Sequence, residues 1–201
     1  MTAQPVRLPP HAPGMRIGLF GGSFNPPHEG HALVARLAFT RLGLDRLWWL
    51  VTPGNPLKDT RALPPLASRI AAARRIAQDP RIVVTGLEAD VGARYTADTL
   101  RFLRKRCPGV HFVWIMGADN LLQFHRWRDW EEIMRTTPVA IIDRPGATAK
   151  AASAKAMQRF PRARLDERDA RLLPTAAPPA LVYLHGPRSA SSSTALRRKA
   201  P

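Results

Sequence analysis

The chain has 201 residues, an apolar fraction of 45% and a formal charge of +16, from 31 lysines and arginines against 15 aspartates and glutamates. That length suffices for one substantial core, the charge calls for an anionic partner, and the lone Cys107 excludes a disulfide framework or a cysteine metal cluster. The longest wholly apolar run, Leu47–Val51, is far too short to span a bilayer, so the default is a cytoplasmic enzyme or binding protein without a membrane partner.

Met1–Gly14 carries prolines but no apolar signal-peptide core, and reads as a flexible N-terminal tail ahead of a single domain over residues 15–201. Met15–Phe20 is short, apolar and bounded by glycines, as a buried strand is. Ala32–Leu42 reads as a helix, with Leu33, Leu37 and Ala38 at helical spacing and Gly43 as a stop signal. Arg46–Thr52 is a second strand and Pro53–Pro64 a proline-rich loop. Leu66–Ala77 is helical, Arg81–Thr85 a strand, and Thr96–Arg106 a helix with Thr96, Asp98 or Thr99 as candidate N-cap. His111–Met116 is a strand followed at once by Gly117-Ala118-Asp119-Asn120. Asn120–Phe124 and Arg128–Arg135 read as short helices, Val139–Asp143 and Leu181–His185 as strands, and Ser192–Lys199 as a helix start. Ala147–Pro179 is rich in Ala, Arg and Pro, has weak periodicity and reads as partly mobile.

Alternating β and α segments place the chain in the α/β class. The expected architecture is a three-layer, Rossmann-like α/β/α arrangement around a central, mainly parallel sheet. Ligands in such folds sit beyond the carboxyl ends of the strands, near the point where strand order reverses. Four polar or glycine-rich segments follow strands directly: Gly21–His31, Pro53–Lys58, Gly117–Asn120 and Ser191–Arg197.

His28 and His31 are three apart around Gly30 at a helix start. Three readings stand for such a pair: ordinary surface histidines, a metal pair, or imidazole donors beside helix N–H groups at a phosphate site. No further His or Cys lies at metal spacing, and a closed metal site needs four ligands. The preceding glycine-rich turn favours phosphate.

Gly21-Gly22-Ser23-Phe24-Asn25-Pro26-Pro27-His28-Glu29-Gly30-His31 resembles the signature of the HxGH nucleotidylyltransferase superfamily. Further segments are similar, in the same order, to those of bacterial nicotinate-nucleotide adenylyltransferases: Arg94–Leu100, Ile115–Leu122, Phe124–Trp127, Arg144-Pro145-Gly146 and Ser192–Arg197. Arg94 stands where that family usually has serine. The resemblance implies adenylyl transfer from ATP, with Mg2+, to nicotinate mononucleotide, giving deamido-NAD and pyrophosphate by in-line attack without a covalent intermediate. It implies catalytic roles for His28, His31 and Arg197. Gly21, Gly22, Ser23, Phe24, Gly30, Gly117, Asp119, Ser192, Ser193 and Thr194 would meet ATP. Asn55, Lys58, Tyr95, Thr96 and Trp127 would meet the mononucleotide, with the nicotinate ring on Trp127 and its carboxylate on backbone N–H groups near Tyr95 and Thr96.

Plainer roles stand beside these. Trp127 also reads as a core aromatic, Asp119 as a helix cap and Lys58 as a solvated lysine, while Trp48 and Trp49 read as packing. A pantetheine-phosphate adenylyltransferase shares HxGH but not the Tyr95-Thr96 and Trp127 segments. A basic nucleic-acid-binding protein would suit the charge, but no nucleic-acid-binding motif accompanies it, so nucleic acid is not an expected partner. The sequence leaves a homo-oligomer open.

Overall fold

A computed structural model describes residues 6–54, 63–143 and 153–186. Six strands form one sheet: β1 (Arg16–Gly22), β2 (Arg46–Val51), β3 (Ile82–Thr85), β4 (His111–Gly117), β5 (Val139–Ile142) and β6 (Leu181–Leu184). Their order is β3-β2-β1-β4-β5-β6 and every pairing is parallel. Near-continuous apolar runs are what a sheet covered on both faces requires, and the two faces separate cleanly here. Ile17, Leu19, Trp48, Leu50, Phe112, Trp114 and Met116 enter one core. Phe20, Leu47, Trp49, Val51, Val113 and Ile115 enter the other.

Seven helices are described: α1 (Glu29–Leu42), α2 (Leu66–Ile76), α3 (Leu87–Asp90), α4 (Thr96–Arg106), α5 (Ala118–Leu121), α6 (Trp130–Thr136) and α7 (Lys155–Arg159). Val34, Ala35, Ala38, Phe39 and Leu42 of α1 and Ala73 of α2 cover one face. Leu87 of α3, Leu100 and Leu103 of α4, and Ile133 and Met134 of α6 cover the other. The chain thus winds outward from β1 through β2 to β3 with helices on one side, crosses over, and continues from β4 to β6 on the other side of β1. The strand order reverses between β1 and β4, which opens a crevice at their carboxyl ends.

Several boundaries differ from the sequence reading for local reasons. α1 begins at Glu29 rather than Ala32, because His28 and His31 cap it. Neither Thr96, Asp98 nor Thr99 caps α4; Tyr95 holds that position without a side-chain bond. Gly117, not Asp119, caps α5. The expected helices at 120–124 and 128–135 become α5, a 3-10 turn at Phe124–Arg126 and α6. Within 153–179, α7 and 3-10 turns at Pro161–Ala163 and Glu167–Thr175 replace the expected weakly structured stretch, and Ala170 and Leu173 of the last turn reach the core. Residues 6–14 lie along the core: Val6 and Leu8 pack against it, and Gly14 N–H donates to Gly109 C=O at 2.7 Å.

Candidate active site

β1 ends in Gly21 and Gly22 because there is no room for side chains there. A Cβ at Gly21 would stand 2.7 Å from the Trp114 ring, so backbone and indole form a common surface. The turn then passes through Phe24, whose φ of 47° is unusual for a bulky residue. Its ring stays in the core, stacked on Trp49 at 5.1 Å and edge-on to Phe20. This packing holds the strained backbone, and it leaves only main-chain groups of Phe24 for a ligand.

The histidines are joined more tightly than two donors on one helix face. His28 is the N-cap of α1, and its Nδ1 accepts from Gly30 N–H at 3.0 Å. His31, at the third helical position, accepts at its own Nδ1 from His28 N–H at 3.1 Å. The arrangement is a capping box made from two imidazoles. His31 Nδ1 also lies 3.3 Å from His28 C=O; with each Nδ1 accepting from a backbone N–H, a neutral ring carries its hydrogen on Nε2. The ring centroids are 4.0 Å apart and both residues are buried. Gly30 N–H, expected to be open to a ligand, is engaged by the cap.

Arg69 of α2 reads from the sequence as one charge on a polar helix face, not as a site residue. It is 3% exposed, and its guanidinium donates to the carbonyls of Ser23 (2.9 Å), Thr52 (2.7 Å), Pro53 (3.3 Å) and Pro64 (2.9 Å). Burial pulls its pKa down. One side chain therefore ties the loop after β1 to the loop after β2 and to the start of α2.

Beyond the carboxyl ends of β1 to β4 lies a cavity of about 300 Å³. Gly21, Gly22 and Ser23 line it from β1, Thr52 and Gly54 from β2, and Glu88, Arg94, Tyr95 and Thr96 from the β3–β4 connection. Trp114, Asn120, Arg126, Trp127 and Arg128 complete it. Six expected site residues thus come together: Gly21, Gly22, Ser23, Tyr95, Thr96 and Trp127. Trp127 meets the buried Phe124 edge-on at 5.2 Å and Trp114 at 6.1 Å, and it also lines the cavity.

The lining excludes His28, Gly30, His31, Phe24, Gly117 and Asp119. The histidines open α1, which follows the lining residues Gly21–Ser23 in the chain, and Gly117 and Asp119 shortly precede the lining residue Asn120. Asn55, Lys58, Ser192, Ser193, Thr194 and Arg197 lie outside the described residues.

Glu88 is the second residue the sequence did not single out. It is 7% exposed on the cavity wall. Burial raises its pKa, opposed by hydrogen bonds from Thr52 and Thr99, whose Oγ1 lies 3.2 Å from Glu88 Oε1.

The chain matches the Cytidylyltransferase-like family over residues 19–199. A probable nicotinate-nucleotide adenylyltransferase of Methylorubrum extorquens is 63% identical over 185 residues, covering 92% of this chain and 100% of that protein. The chain belongs to the nicotinate-nucleotide adenylyltransferase family. A second member, from Brucella abortus, is 59% identical over 92% of this chain and 95% of its own length. A Plasmodium falciparum nicotinic acid mononucleotide adenylyltransferase solved in complex with NaAD superposes with a TM-score of 0.68. It is 18% identical and covers 94% of this chain and 83% of that one, a likeness of fold. The family match extends through the carboxyl-terminal motif at 192–197.

Proposed function

We propose that this enzyme transfers the adenylyl group of ATP to the phosphate of nicotinate mononucleotide, releasing pyrophosphate and forming deamido-NAD, in the cytoplasm. The observation that carries the reading is the cavity at the strand-order reversal. Its lining combines a glycine turn of the kind that suits phosphate with Tyr95 and Trp127, aromatics of the kind that suit a pyridine ring, which supports this reading.

The chemistry suits these residues. The nucleophile is a phosphate monoester with a second pKa of about 6, so it is already largely dianionic at neutral pH and needs no general base. Its oxygen attacks the α-phosphorus of ATP in line, a new P–O bond forms, the bond to the β-phosphate oxygen breaks, and the electron pair leaves on pyrophosphate. The enzyme's task is to bring two polyanions together and to stabilise the charge that moves onto the leaving group.

Reciprocal capping fixes the two imidazoles as Nε2–H donors, the form that can donate to a phosphate oxygen. Because each Nδ1 is held by the helix backbone, the rings are oriented before substrate arrives. The N-terminus of the fourteen-residue α1 adds its dipole. On the family's motif, Arg197 and the Ser192–Thr194 segment are assigned to the triphosphate, Lys58 to the mononucleotide phosphate, Asn55 to the mononucleotide, and Gly117 with Asp119 to the adenosine ribose. Mg2+ belongs to the substrate as MgATP. Among the described residues no three His, Cys, Asp or Glu side chains gather around a metal position.

Pyrophosphate release from ATP, measured with nicotinate mononucleotide, nicotinamide mononucleotide and phosphopantetheine in turn, tests the assignment. Turnover is expected to be fastest with nicotinate mononucleotide. Preference for phosphopantetheine would move the enzyme to another branch of the superfamily, and RNA binding without pyrophosphate release would remove it from catalysis.

A further inference from the structure

Glu88 is a buried carboxyl on the cavity wall that the proposed chemistry leaves without a task. Arg94, Tyr95, Arg126 and Arg128 line the same cavity, and Arg69 reaches the Thr52 carbonyl at 2.7 Å. Among the described residues neither these nor Asp90 of α3 itself pairs with the Glu88 carboxyl, whose partners are the hydroxyls of Thr99 and Thr52. Thr99 is fully buried, with its Oγ1 3.2 Å from Glu88 Oε1. Thr52 Oγ1 also donates to Gly54 C=O at 2.9 Å. A hydroxyl has one hydrogen to give. With that of Thr52 on Gly54, Thr52 can meet Glu88 only as an acceptor, and the hydrogen between them must come from Glu88. A protonated carboxyl satisfies every group: Glu88 O–H donates to Thr52, Thr52 O–H to Gly54 C=O, and Thr99 O–H to the carboxyl C=O. An ionised one breaks the series, because Thr52 must then turn its hydrogen to the carboxylate and leave Gly54. Burial without a counter-charge favours the protonated form as well.

We infer that Glu88 is a positioning residue for the mononucleotide: through its own proton it holds Thr52, through Thr52 it holds Gly54, and so it fixes the start of the loop after β2 against α4. The inference rests on the proposed function and adds a residue to it. Thr52 and Gly54 both line the cavity, and Gly54 leads into the segment with Asn55 and Lys58, which the family's motif assigns to the mononucleotide. Thr99 anchors the other end of the series, in the first turn of the helix that Tyr95 caps and Thr96 opens. A neutral link suits this place, since a carboxylate on the wall would repel an anionic substrate and the carboxylic acid adds no charge. As pH rises and the proton leaves, two effects act in the same direction: Gly54 loses its donor, and the wall becomes negative.

The decisive experiment measures KM and kcat for nicotinate mononucleotide and for ATP, between about pH 6 and about pH 9, in the wild type, Glu88→Gln, Thr52→Val and Thr52→Ser. The glutamine carboxamide donates through its NH2 and accepts through its C=O, as the protonated acid does, but has no proton to lose. Wild-type KM for the mononucleotide should rise about threefold or more toward the alkaline end while KM for ATP stays within about twofold, and the rise should be absent from Glu88→Gln. Thr52→Val breaks the series at every pH. Its mononucleotide KM should already be raised about threefold near about pH 6, and Thr52→Ser, which restores the hydroxyl, should bring it back. An infrared spectrum near about pH 7 reads the proton without turnover: the wild type should show a protonated-carboxyl band that Glu88→Gln lacks. Absence of that band, alkaline rises of equal size in the wild type and Glu88→Gln, or a Thr52→Val enzyme with the wild-type KM would each overturn the inference. A wild type that shows the band but releases no pyrophosphate with nicotinate mononucleotide at any pH would instead remove the proposed function itself.

Discussion

His31 performs two tasks that can be separated by substitution. Its Nδ1 closes the cap of α1, and its Nε2–H is the proposed phosphate donor. Glutamine at the third helical position is a natural capping-box partner, so His31→Gln should keep the helix start while removing the imidazole donor. His31→Ala should lose both, at a stability cost of about 0.5–2 kcal/mol. Turnover should fall by about 10²–10³ in each variant, while thermal melting separates them. If His31→Gln turned over like wild type, the donor role would be lost and only the cap would remain. The sequence showed the pair and its place at a helix start, but not the reciprocal bonds. An imidazole is a rare occupant of both capping positions, and nothing in the spacing says which nitrogen faces the backbone. Glu88 was illegible for a different reason: a glutamate in a short run with an alanine and an aspartate reads as surface until the fold buries it. Its raised pKa has a sign that can be checked. A carboxyl with a folded pKa above its unfolded value of about 4.5 contributes fully below that value, and its contribution is lost as pH rises through the folded pKa. Glu88→Gln retains an acceptor for Thr99 and removes the ionisation. It should therefore exceed wild type in stability near about pH 8 and converge with it near about pH 4, as urea unfolding across that range would show. A difference that grows toward acid would contradict the assigned direction.

Between elements, Arg69 is the strongest single link. It joins α2 to the two loops that leave β1 and β2, and four carbonyl dipoles solvate a charge that has no carboxylate partner among the described residues. Arg69→Met would leave those carbonyls to find other donors in a nearly sealed space. Hydrogen bonds to a charged group are worth about 1.5–3 kcal/mol each and are not additive, so a loss of at least about 2 kcal/mol is expected in chemical unfolding. Arg69→Lys, which can reach some of the same oxygens, should lose less. A silent Arg69→Met would show that the loops hold their positions without the guanidinium. The six strands were legible because each is a short apolar run between polar turns, and residues on alternate sides had to find separate cores. Glu167–Thr175 was not legible, because a 3-10 turn eclipses every third residue and Pro174 interrupts any helical period. Arg69 looked like one more charge on an arginine-rich helix. Only the placement of the two loop ends around it shows what it does.

For the whole molecule, the relevant quantities are sheet order and charge. The order β3-β2-β1-β4-β5-β6 gathers the carboxyl ends of β1, β2 and β4 at one end of the sheet, which is why motifs far apart in the chain share one cavity. That the motifs each follow a strand was visible in the sequence; that Asn120, rather than Gly117 or Asp119, lines the cavity was not. The net charge of +16 acts over longer distances than any one residue, and both proposed substrates are polyanions. An excess of this size should accelerate encounter rather than the chemical step, since it is felt before the substrates reach the cavity. Raising ionic strength from about 0.01 M to about 1 M shortens the screening length from about 30 Å to about 3 Å. Over that range kcat/KM for ATP and for the mononucleotide should fall together and steeply, with kcat at saturation changing much less. If kcat/KM stayed level while kcat fell, the charge would act on the reaction itself and not on the approach to it.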